Sequence, residues 1–114
     1  MKPFIKIMKA LSDPSRVKIL KMLQRRSMCV CEIQEALGVA QSTASNHLKV
    51  LEEAGLATYR KERLWVNYTI AEPTGNIYAR VMLSHLSDWL EDEPDINALI
   101  HRLPEIRREN ICSK

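Results

Sequence analysis

The stretch Cys31-Glu32-Ile33-Gln34-Glu35-Ala36-Leu37-Gly38-Val39-Ala40-Gln41-Ser42-Thr43-Ala44-Ser45-Asn46-His47-Leu48 decides the fold. Ile33, Ala36 and Leu37 recur at helical spacing, and Gly38 supplies a helix stop. Val39 and Ala40 leave a tight link before a second helix over residues 41–54, apolar at Ala44, Leu48 and Leu51 and ended by Gly55. Two helices joined by a short turn containing Gly form a helix-turn-helix, here over residues 30–54. The first turns of the second helix carry Gln41, Ser42, Thr43, Ser45, Asn46, His47 and Lys49 between the apolar positions. These types suit a major groove. Gln and Asn pair with adenine edges, Ser and Thr donate to phosphates or bases, and Lys adds a phosphate contact.

Downstream the hydrophobic period changes from 3.6 to 2. Residues 56–60 and 64–70 read as short strands, with Leu64, Val66, Tyr68 and Ile70 alternating against Trp65, Asn67 and Thr69. Lys61-Glu62-Arg63 forms the tip, so Arg60, Lys61 and Arg63 are candidates for a backbone contact beside the groove. Upstream, Phe4, Ile5, Met8 and Leu11 predict a first short helix. Asp13-Pro14 then restarts the chain, with Asp13 as cap and Pro14 in the first turn. Val17, Leu20 and Leu23 give the second helix its buried face, widened by Ile19 and Met22.

After Pro73 a long helix is expected over residues 75–90, with Tyr78, Met82, Leu86 and Trp89 on one stripe. Ile77 and Val81 widen that stripe beyond what one small core needs. A last short helix over 95–103 precedes a flexible tail at 104–114. The reading is one domain over residues 1–114, mainly α with a small β-hairpin: a winged helix-turn-helix, its wing at 56–70, with added N- and C-terminal helices.

Composition agrees with a DNA-facing front half. The formal charge is +3, but residues 1–70 carry 12 Lys and Arg against 6 Asp and Glu, whereas residues 71–114 carry 5 against 8. Such a basic half suits a polyanion. No apolar run approaches the ~18 residues of a membrane span, and no signal segment is visible, so a cytoplasmic setting is expected. Its three cysteines should stay reduced there. Only three glycines, no phosphate-cradling loop and no nucleophile motif argue against an enzyme.

Met28-Cys29-Val30-Cys31-Glu32 is the chemically distinctive segment. A thiolate pair selects soft ions: arsenite, antimonite, cadmium, lead or copper(I). A helix N-terminus is expected to lower the cysteine pKa. Residues i and i+2 on a regular helix point about 200° apart, so gripping one atom with both sulfurs should unwind that first turn. A ligand preferring the unwound form lowers DNA affinity by its differential affinity.

Ala10-Leu11-Ser12-Asp13-Pro14-Ser15-Arg16, the segment 41–56, and Arg60 through Trp65-Val66-Asn67-Tyr68 resemble the ArsR/SmtB family of metal-responsive repressors, over roughly residues 5–72. The resemblance implies a homodimer on inverted-repeat operator DNA, with residues 1–12 and 75–103 as dimerisation helices. It also implies that Gln41, Ser42, Thr43, Ser45, Asn46 and His47 lie on the recognition helix. Family wings often carry a tip glycine, and this one has none. Cys-Val-Cys followed by an acidic residue is similar to the arsenite and antimonite sensors, implying As(III) or Sb(III) as inducer at Cys29 and Cys31. Those sensors commonly have a third cysteine where this chain has Gln34; Cys112 is the candidate replacement, from its own or the partner subunit. His85 and Asp88 lack the paired spacing of the zinc-sensing relatives. Alternatives are a repressor reading thiol oxidation or reactive sulfur, one reading cadmium or lead, and a winged-helix protein-interaction module.

Overall fold

The computed structural model describes residues 1–72 and 75–107. Helix α1 (Lys2–Ala10) leads into α2 (Pro14–Leu23), then strand β1 (Met28–Cys29), α3 (Val30–Leu37) and α4 (Gln41–Glu53). The hairpin β2 (Ala57–Glu62) and β3 (Trp65–Ile70) follows, then α5 (Ile77–Leu86), α6 (Pro94–Arg102) and a 3-10 turn (Leu103–Glu105). The sheet is antiparallel in the order β1-β3-β2.

The start and stop signals act as their chemistry dictates. Asp13 Oδ1 accepts the N–H groups of Ser15 and Arg16 at 2.8 and 3.2 Å, capping α2. Gly38 (φ 69°) and Gly55 (φ 84°) take left-handed conformations that close α3 and follow α4. Asn76 caps α5 by accepting from Ala79 N–H at 3.1 Å. The core gathers Ile7 and Ala10 of α1, Ile19, Leu20 and Met22 of α2, Ile33 of α3, Leu48 and Leu51 of α4, and Leu83 and Leu86 of α5. Val17, expected on the buried face of α2, is only half-buried; Ile19 and Met22 take the central places.

Four local expectations are revised. First, residues 28–29 pair with β3, Met28 opposite Tyr68 and Cys29 opposite Asn67. A two-residue strand has no periodicity to read. Second, the wing strands run to Glu62 and restart at Trp65, so the tip is Arg63-Leu64 and not residues 61–63. Cross-strand pairing of Lys61 with Val66 and Glu62 with Trp65 continues because the charged side chains stay in water, and Arg63 takes φ 59° to close the turn.

Third, α5 stops at Leu86, leaving Trp89 outside it. Lys21 Nζ, 2% exposed, reaches the carbonyls of Leu86 and Trp89, each at 2.9 Å, and the Glu91 carboxylate at 2.5 Å. A buried ammonium requires such acceptors, and taking these two carbonyls caps the helix end. Fourth, the expected tail from residue 104 begins as packed structure. Leu103 and Ile106 are buried, and the Arg26 guanidinium donates to both of their carbonyls.

Candidate nucleic-acid interface and thiol site

α4 is held by its apolar face. Ala44, Leu48 and Leu51 are fully buried, fixing the helix against the core. Gln41, Ser42, Thr43, Ser45, Asn46 and Lys49 are consequently exposed. Ala40 at the N-cap offers no side-chain acceptor, and no acid stands in the first turn. The opening amides of α4 thus remain donors with a positive dipole end, an arrangement suited to phosphate. His47 differs from its neighbours: it is half-buried, its Nδ1 3.3 Å from Arg16 Nη1 of α2.

In the wing Arg60, Lys61 and Arg63 are exposed. The pleat separates them, since adjacent strand residues face opposite ways. Arg60 lies opposite Asn67 on the face that carries Glu62, whose carboxylate accepts from Asn67 Nδ2 at 2.9 Å. Lys61 follows Tyr59, which meets Tyr68 at 5.7 Å between ring centroids. Arg60 and Lys61 therefore face opposite ways, and Arg63 lies in the turn beyond both strands. The tip residue Leu64, expected to alternate inward with Val66, is 93% exposed.

Cys29 and Cys31 open α3 in different settings. Cys29 is the N-cap, in extended backbone (φ −85°, ψ 169°), 3% exposed. It forms a capping box: its sulfur accepts the Glu32 N–H, and its own N–H donates to Glu32 Oε1 at 3.0 Å. Burial pushes the Cys29 thiol up, and the Glu32 carboxylate adds to this against the lowering pull of the backbone N–H donors. The expected low pKa at a helix start is thus overturned, because desolvation and a neighbouring anion outweigh the amides. Cys31, inside the first turn, is half-exposed.

Cys29 is a free thiol, so the two cysteines are not joined to each other. Cys112 lies outside the described residues. Among the described residues no group of three His, Cys, Asp or Glu side chains is disposed to hold a metal ion. The geometric argument also changes. Only Cys31 is helical, so the two side chains are not both fixed on a regular helix.

Glu32 is 6% exposed and reaches toward the Arg26 guanidinium at 3.6 Å. Sequence reading noted Glu32 beside the cysteines but missed its capping role; the Cys-x-x-Glu spacing of a capping box was the available signal. Asp13 likewise gains a neighbour from α4. Burial works to raise its carboxyl, but the N–H groups of Arg16 and Ser15, with His47 and Arg16 nearby, hold it below the usual range. Among the described residues no helix is long and apolar enough to cross a membrane.

A helix pair joined by a glycine turn, its second helix anchored by one face and polar on the other, with a β-hairpin alongside, defines a winged helix-turn-helix DNA-binding protein. The family model described as bacterial regulatory protein, arsR family, matches residues 13–59. Over 114 residues the chain is 30% identical to the arsenical resistance operon repressor of Escherichia coli (strain K12), covering 96% of this chain and 95% of that one. It is 42% identical over 66 residues to a cadmium resistance transcriptional regulatory protein CadC homolog of Staphylococcus aureus, covering 57% of this chain and only 54% of that protein. A solution structure of a homodimeric winged helix-turn-helix DNA-binding domain from Mycobacterium bovis, a possible ArsR-family regulator, superposes with a TM-score of 0.63. That match has 30% identity and covers 76% of this chain and 80% of the other. The chain belongs to the ArsR family, whose fold is that of DNA-binding transcriptional regulators.

Proposed function

We propose that this protein is a homodimeric repressor of a metal(loid)-resistance operon, released from an inverted-repeat operator when As(III) or Sb(III) is held by Cys29 and Cys31. The observation that carries the reading is the position of Cys29, which belongs at once to the sheet of the wing and to the cap of α3. The arsenical repressor similar over nearly its whole length supports the choice of ligand.

Both thiols stand within the opening of α3, and soft thiolate donors suit As(III). Cys29 is already extended and is the preformed half of the pair. Its sulfur gives up the Glu32 N–H when it takes another partner, so the cap of α3 loosens. α3 packs directly on α4, and a loosened α3 shifts the recognition helix. A third thiolate comes from Cys112, of the same or the partner subunit.

On the DNA side, Gln41, Ser42, Thr43, Ser45 and Asn46 read bases or phosphates, and Lys49, Arg60, Lys61 and Arg63 supply backbone charge. The dimer forms through α1 and α5. Phe4, Met8, Ile77, Tyr78, Val81 and Met82 line an apolar groove of about 290 Å³ on that face. Phe4 meets Tyr78 edge-on at 5.4 Å between centroids, and both remain substantially exposed. An apolar face of this kind is unusual on a monomer.

A binding titration on inverted-repeat DNA, reduced, with and without arsenite, tests the reading on wild type, Cys29→Ser and Cys31→Ser. Loss of the arsenite response in both variants is expected; an inducible variant removes its cysteine from the site. The half-exposed position of Cys31 favours a second reading, a repressor released by thiol oxidation. A peroxide that dissociates the complex while arsenite does not would select it. Cadmium and lead are further arms, given the CadC homolog.

A further inference from the structure

Arg16 is tied on three sides. Its Nε donates to Ala10 O at 2.8 Å and its Nη2 to Lys9 O at 3.0 Å, both at the end of α1. Its Nη1 meets Nδ1 of His47 at 3.3 Å, across 31 residues of chain. A guanidinium has donors and no acceptor. As a hydrogen bond, this contact requires Nδ1 of His47 to accept. In a neutral ring the proton then resides on Nε2.

We propose that Arg16 is a positioning residue for DNA recognition: by occupying Nδ1 of His47 it fixes the Nε2–H tautomer, so that the recognition helix presents a single hydrogen-bond donor to an acceptor on the DNA. The proposal rests on α4 being the DNA-reading helix. It goes beyond that reading by giving His47 a defined polarity and Arg16, which lies on α2, a role in binding. Ser45 and Asn46, the preceding residues of α4, are exposed and have no such constraint, and their polar ends rotate to suit. His47 is held in place, which selects for an acceptor and rejects a donor at the position it meets. The acceptor is a purine N7 or O6 edge, or a phosphate oxygen.

The test starts on the free, reduced protein. Long-range proton–nitrogen correlation spectra should show His47 with its proton on Nε2; a proton on Nδ1 overturns the proposal. In Arg16→Met the ring should become a mixture of tautomers, and affinity for an inverted-repeat duplex selected from a random pool should fall by the fraction of rings that lose the Nε2 proton, about twofold for an even mixture. Because Arg16 also ties α1, the cycle with His47→Ala separates the two roles. Arg16→Met should cost much less in the His47→Ala background; an equal cost in both backgrounds overturns the proposal.

His47→Gln, whose amide nitrogen lies where Nε2 was, should keep most of the affinity, while the shorter His47→Asn loses it. Equal loss in both overturns the proposal without touching Arg16. Replacing purines of the duplex by 7-deazapurines, guanines by 2-aminopurine (which lacks O6), or single phosphates by methylphosphonates, tells base from backbone. One of the three should erase the difference between wild type and His47→Ala; if none does, His47 meets no acceptor. A wild type that prefers no inverted repeat would sink the DNA-reading assignment instead, while leaving the tautomer measurement intact.

Discussion

The outward face of α4 and the entrance of α3 lie within one helix-turn-helix, yet they are built on opposite terms. On α4, Gln41, Ser42, Thr43, Ser45 and Asn46 stand in solvent, and the N-cap spends no side chain on the opening amides. At the entrance of α3, Cys29 and Glu32 are buried and bonded to each other, and Arg26 reaches Glu32. A surface that must meet a partner keeps its donors uncommitted. A site that must report occupancy is wired so that occupying it breaks something. Only His47 departs from the first rule, since Arg16 binds one of its ring nitrogens.

The contrast is broken most severely by attacking the support common to both regions. Leu48→Ala empties a fully buried position under α4. Denaturant unfolding should show a loss of about 3 kcal/mol, the usual cost of a cavity plus lost transfer energy. Asn46→Ala, two residues away and exposed, should leave stability within about 0.5 kcal/mol and still weaken operator binding. If Asn46→Ala unfolds the protein and Leu48→Ala does not, the two faces of α4 have been exchanged.

Next in size is Glu32→Ala. It removes the acceptor of the Cys29 N–H and the acid in the first turn of α3, for about 1–3 kcal/mol. It also removes an anion that raises the Cys29 thiol. Alkylation of Cys29 by iodoacetamide should therefore be slow in wild type and climb with pH past the ordinary cysteine range, and be faster in Glu32→Ala at any one pH. An unchanged rate would mean that Glu32 does not govern the thiol.

Much of this contrast was legible beforehand, unevenly. Apolar spacing at Ala44, Leu48 and Leu51 leaves only one way for α4 to lie, so its polar face follows from the sequence. Asp13 and Gly38 announce helix ends through their own chemistry. The settings of Cys29 and Cys31 do not follow, because burial depends on β3, which arrives 38 residues after Cys29 and pairs with it through Asn67. Nothing in the local spacing marks Lys21 for burial. Its acceptors, the Leu86 carbonyl at the end of α5 and the Glu91 carboxylate after it, lie 65 and 70 residues away. Short-range pattern carries local structure, and long-range pairing decides which groups lose water.

Asp13 adds a pH test of smaller size. Its folded carboxyl lies below the usual carboxylate range, so it binds protons less readily than in the unfolded chain. The stability it contributes is present above the unfolded pKa, near 3.9, and is lost as pH falls through the lower, folded value. Asp13→Ala should cost about 1 kcal/mol at neutral pH, as for a lost N-cap, and less in strong acid. A cost independent of pH would remove the cap from the account.

The smallest effect lies at the wing tip, where stability and binding should move in opposite directions. Arg63 holds φ 59°, a conformation that disfavours side chains bearing a Cβ. Arg63→Gly relieves that, offset by the greater freedom glycine has when unfolded, for a net gain of roughly 0.5 kcal/mol. The same change deletes a guanidinium from the tip. If Arg63 neutralises a phosphate, the slope of log affinity against log salt should fall by about 0.9 per subunit, with sequence preference unaltered. Arg63→Lys separates the causes, since it keeps the charge and the strained backbone. A lysine variant that binds like wild type, beside a glycine variant that is more stable and less salt-sensitive, puts the function of the tip in its charge. The left-handed residue is then a tolerated strain, kept because the position needs a long cation more than it needs a relaxed turn.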